Sequence, residues 1–148
     1  MKKKRAYKQG IFKPLHPEKY HGTLPIIYRS GLELKYFRIF DGNPRVLAWS
    51  SESIIVPYFN PLTGRTNRYF VDNSVTMKDK EGNIKKYLVE IKPQCKLLPP
   101  PASNKRSPKN TAILQREYIQ NSAKWNAASL WSQKNGYQFM IVTEKNVL

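Results

Sequence analysis

One cysteine, Cys95, and two histidines, His16 and His21, stand in a chain of 148 residues. A single thiol cannot close an intrachain disulfide and excludes a multi-cysteine zinc module. Both histidines lie in a Pro-rich N-terminal stretch, which argues against a histidine zinc centre or a Ser-His-Asp triad. No run of about 18 apolar residues is present, so no transmembrane helix is expected. Met1-Lys2-Lys3-Lys4-Arg5 begins like a signal peptide, but no apolar stretch follows it. A soluble intracellular protein that is not secreted is expected. No G-x-x-x-x-G-K-[ST] loop occurs, so no bound nucleotide cofactor is expected. Acids are scarce too: 10 Asp and Glu against 26 Lys and Arg, a formal charge of +16. That excess favours a polyanionic partner. The chain is 40% hydrophobic and 12% aromatic, enough for one folded domain with its own core.

Residues 1–29 are basic and carry Pro14, Pro17 and Pro25. They read as an arm with little regular structure, leaving residues 30–148 as one domain. From Ser30 the pattern turns helical, with Leu32, Tyr36, Ile39 and Phe40 on one stripe. Asp41-Gly42-Asn43-Pro44 ends that helix. Val46–Trp49 and Ser53–Phe59 read as strands. The turn Asn60–Gly64 leads into a third strand from Arg68 through Asp72 and on to about Thr76. Tyr87–Lys92 is a fourth. Residues 96–110 form a basic, proline-stiffened loop of a length that is usually functional. Thr111–Gln133 is a second helix stopped by Asn135-Gly136, and Tyr137–Val142 is a closing strand. The expected class is α+β, in the order α-β-β-β-β-α-β.

Where acids are scarce, those set into apolar strands call for a reason. Asp72 closes Arg68-Tyr69-Phe70-Val71-Asp72, and Glu90 and Lys92 close Tyr87-Leu88-Val89-Glu90-Ile91-Lys92. Alternation puts Glu90 and Lys92 on one face and Val89 and Ile91 on the other. Two carboxylates side by side repel unless a cation lies between them. Mg²⁺ suits such a pair, because it takes hard oxygen ligands and keeps several waters. A water on that metal can attack phosphorus, with Lys92 to orient or deprotonate it or to meet charge on the transition state. Taken alone, Glu-x-Lys at a strand end reads as a solvated edge pair, and Asp72 as a turn acid bonded to local backbone. The joint pattern in so basic a chain favours catalysis. Glu33 has two readings of equal weight on pattern. It closes a capping box in Ser30-Gly31-Leu32-Glu33, or it joins the metal shell from the first helix. DNA contact is expected from the aggregate of Lys2, Lys3, Lys4, Arg5, Lys105, Arg106, Lys109 and Lys124.

The ordered set resembles the PD-(D/E)XK nuclease superfamily, and within it the TnsA-type endonuclease domain. It comprises a helix bearing S-x-x-E, a breaker, V-x-x-W, a hairpin, an aromatic strand ending in Asp, and L-V-E-I-K-P. It is similar to the head-completion nucleases of tailed myoviruses. The resemblance implies a restriction-endonuclease-like core, a central mixed sheet flanked by helices. It implies Asp72 and Glu90 as metal ligands, Lys92 as the catalytic lysine and Glu33 as the helix acid of the same site. Mg²⁺ is the implied cofactor, with Mn²⁺ as a substitute, and double-stranded DNA the implied substrate. Phage portal, neck or head proteins are the implied partners, in the host cytoplasm and the virion. Val71 stands where the signature often has proline, and Asn73 where an apolar residue is usual. A non-catalytic DNA-binding head protein and the cleaving subunit of a TnsA-type transposase are the rival expectations.

Overall fold

The computed structural model describes residues 9–146. Its centre is a four-stranded mixed sheet in the order β3-β6-β7-β8, formed by Val46–Ser51, Asn73–Lys78, Ile84–Ile91 and Gln138–Val142. β3, β6 and β7 are antiparallel neighbours, while β8 runs parallel to β7. A parallel neighbour needs a long crossover, which the helix α2 (Pro108–Asn135) provides. A hairpin of β4 (Ile55–Asn60) and β5 (Arg65–Phe70) stands as a separate two-stranded sheet. No helix among the described residues is long and apolar enough to cross a membrane.

Helix α1 (Gly31–Gly42) starts at Ser30, whose hydroxyl accepts the Glu33 N–H at 3.1 Å. It buries Tyr36, Phe37 and Phe40 against Trp49, Val75, Val89, Ile91 and Val142. The opposite face of the sheet presents Leu88, which packs with Val56, Tyr58, Tyr69 and Val71 beneath Ala128 of α2. Covered on both faces, the end of β7 from Leu88 to Ile91 is buried throughout. Glu90 lies within that stretch, 4% exposed. Fully burying each of these large apolar side chains stabilises the fold by about 2 kcal/mol.

Two expectations change. The segment read as an arm with little regular structure holds β1 (Gly10–Phe12) paired with β2 (Ile26–Tyr28). Phe12 and Ile26 enter the core, Phe12 with its ring 5.8 Å from Phe37 and 6.0 Å from Trp49. The buried Asp41 carboxylate ties the segment down, accepting N–H groups from Leu15 at 2.8 Å and His16 at 2.9 Å. Its prolines hid short strands that need a neighbour to exist. The second change is at Val71–Asp72. The strand expected to run from Arg68 to Thr76 breaks there, because β5 pairs with β4 and β6 pairs with β3 and β7. Five strands, not four, separate the helices. The mixed sheet between helices stands as expected.

Candidate active site

The break at Val71–Asp72 positions the site. Val71 N–H bonds to Ile54 O at 3.1 Å, and Glu52 N–H to Asp72 O at 2.9 Å, so the junction is held by the short link between β3 and β4. Asp72 is thereby turned onto the end of β7, where its Oδ2 accepts the Ile91 N–H at 2.8 Å. Asn73, in place of the usual apolar residue, is buried, and its Nδ2 donates to Ser50 O at 3.1 Å. That bond ties the start of β6 to the end of β3.

Glu90 faces α2 and the hairpin. Its Oε2 accepts from the Tyr69 hydroxyl and from Trp125 Nε1, the latter at 3.3 Å. The Asp72 and Glu90 carboxyl groups are close enough to perturb each other. Burial holds Asp72 well above the ordinary carboxylate range. The nearness of Glu90 and its charge push the same way, against the Ile91 N–H. Two desolvated carboxylates this near repel each other unless a cation lies between them. Burial, then the Glu90 charge, raises the Tyr69 phenol too, so it stays a neutral donor.

Glu33 is part-buried. Its Oε2 accepts from the Ser30 hydroxyl at 3.2 Å. Burial raises its pKa, with the Ser30 bond and the Arg29 charge opposing. Its own charge reaches Asp72 and raises it further. The Ser30 cap is therefore present, with Glu33 bonded to its hydroxyl, and the Glu33 charge is also felt at Asp72. Among the described residues no three acid, histidine or cysteine side chains enclose a metal. The donor set is two hard carboxylates, with Glu33 farther off. Such a pair, charged alike and stripped of water, fits an ion that takes one or two protein carboxylates and keeps its own waters.

Lys92 follows β7, with its N–H on Val142 O at 3.0 Å. Alternation puts its side chain on the Glu90 face, and no acid among the described residues pairs with it. Lys124 sits near by, its ammonium 5.6 Å from the Tyr69 ring centroid and 5.9 Å from that of Tyr58. Lys105 and Lys109 are exposed. Arg106 turns inward and donates to Pro101 O at 2.5 Å. Lys2, Lys3, Lys4 and Arg5 lie outside the described residues.

Tyr69 and Trp125 went unseen in the sequence as partners of Glu90. Tyr69 alternates with Arg68 and Phe70 on β5, which marks an inward side chain. Nothing in the spacing links Trp125, on α2, to a strand end thirty-five residues earlier.

A mixed sheet flanked by helices, with paired acids at one strand junction, has the architecture of a restriction-endonuclease-like fold. The chain belongs to the TnsA-like endonuclease N-terminal family, whose sequence profile matches residues 43–144. It is also 36% identical over 139 residues to the head completion nuclease of Enterobacteria phage T4. That alignment covers 91% of this chain and 90% of the relative. No solved structure gives a significant match.

Proposed function

We propose that this protein is a Mg²⁺-dependent DNA endonuclease of PD-(D/E)XK type that acts in phage head completion, processing packaged DNA ends before head–tail joining. The observation that carries the reading is the buried Asp72–Glu90 pair in a TnsA-like endonuclease chain. Asp72 and Glu90 would hold the ion, with Glu33 ordering water at its outer side. The ion, when bound, supplies charge against the phosphate and an acidified water. Lys92 orients that water and meets the charge that develops on the phosphate oxygens. Tyr69 and Trp125 fix one Glu90 oxygen, leaving the other free to face the ion. Lys124, with the exposed Lys105 and Lys109, offers charge to the DNA backbone without reading its sequence. The similarity to the phage relative suggests portal, neck or head proteins as partners, and the host cytoplasm and virion as its place.

Plasmid cleavage tests the reading. Wild type should nick supercoiled DNA with Mg²⁺ or Mn²⁺, and Asp72→Ala and Lys92→Ala should each lose at least about a hundredfold. Wild type that never nicks under any divalent metal would leave a non-catalytic DNA-binding head protein. Mutants that cut as well as wild type would show that the activity resides elsewhere.

A further inference from the structure

The loop after β7 and the first half of α2 form a cavity of about 280 Å³. One wall is the α2 face that carries Leu114, Tyr118 and Asn121. Their spacing, continued by four residues to Trp125, makes one stripe ending at the indole that donates to Glu90. The cavity wall therefore ends one turn of α2 before the residue whose indole meets Glu90. Leu98 and Pro101 form the facing wall.

The cavity's polar contents are unbalanced. Lys96 Nζ and Glu117 neutralise each other at 3.2 Å. Arg106 spends one nitrogen on Pro101 O, but its Nη1 is buried and meets no acceptor among the described residues. A buried donor without a partner costs about 1–3 kcal/mol, which an occupant with an acceptor would relieve.

We propose that this cavity receives an unpaired nucleobase of the DNA being cut, next to the scissile phosphate. Its apolar walls suit the faces of a flat ring and serve a phosphate poorly. Tyr118 adds an aromatic wall, and Arg106 offers an N–H to an edge acceptor such as guanine O6 or N7. A wholly apolar occupant would leave the guanidinium unpaired. A stacked, paired base cannot enter such a pocket. The substrate class is thus DNA with unpaired nucleotides at the cut, such as frayed ends and single-stranded tails. This rests on the nuclease reading above.

The test compares Mg²⁺-dependent cleavage of tailed duplexes that carry either a base or an abasic site at the junction nucleotide. Wild type should prefer the base-bearing tail by about tenfold or more. Leu114→Trp, which fills the cavity, and Arg106→Gln should bring that ratio towards one. If Leu114→Trp fails to fold by circular dichroism, Arg106→Gln alone decides. In parallel, 2-aminopurine at the junction is titrated with wild type in EDTA, where nothing is cut, and a saturable fluorescence change is expected. Equal cleavage of both tails, or of blunt duplex, overturns the base pocket while the nuclease stands, and leaves the cavity to a protein side chain. Absence of all cleavage defeats the nuclease reading instead, and the EDTA titration then decides the pocket by itself.

Discussion

Asp72 is a buried acid with a second acid beside it. Its folded pKa lies above the ordinary 3.8, mainly through burial. The folded state thus binds a proton more tightly than the unfolded state. The stability this brings is present below about pH 3.8 and is lost as pH rises through the folded value. In EDTA at pH 7, Asp72→Asn should therefore melt higher than wild type. A divalent ion should raise the wild-type melting temperature and leave that of the variant unmoved. Thermal melts with and without Mg²⁺ check both, and a variant that melts lower in EDTA would sink the account. Tyr69→Phe removes one donor to Glu90 and keeps the ring that packs with Tyr58. Cleavage should fall by about 10–100-fold with little change in melting, as for other partners that orient a ligand.

At the scale of elements, much was legible because the signals were local. Ser30 and Glu33 announced the start of α1. Gly136, at φ 76°, stopped α2 where Asn135-Gly136 said it would. Ser30→Ala should cost about 1 kcal/mol of stability through the lost cap. It should also disturb Glu33, whose carboxylate accepts from that hydroxyl. Urea denaturation measures the first effect, and cleavage rate the second. What was illegible depends on partners distant in sequence. β1 and β2 are too short to show a period, and exist because Asp41 and Trp49 receive the chain around them. The break at Val71 leaves no breaker residue, since it arises where two sheets claim adjacent segments. Asp72, Glu90 and Lys92 could be read from strand ends, whereas the Trp125 contact required knowing where α2 lies.

For the whole molecule, the charge of +16 governs encounter with DNA. If the basic surface makes about 6–10 phosphate contacts, affinity should drop by about 10³–10⁵ between 50 and 200 mM salt. A filter-binding series against log salt gives the slope, and a flat slope would deny this surface its role. The strand junction has a further consequence. Asp72 belongs to the seam between hairpin and central sheet, while Glu90 belongs to the sheet alone. Asp72 stays tied to the central sheet through the Ile91 N–H, whereas Tyr69, a donor to Glu90, comes from the hairpin alone. A copy whose hairpin has peeled away would keep both acids and lose that donor. If the pair is the nuclease site, the hairpin acts as its latch, and cleavage should require the latch to be shut.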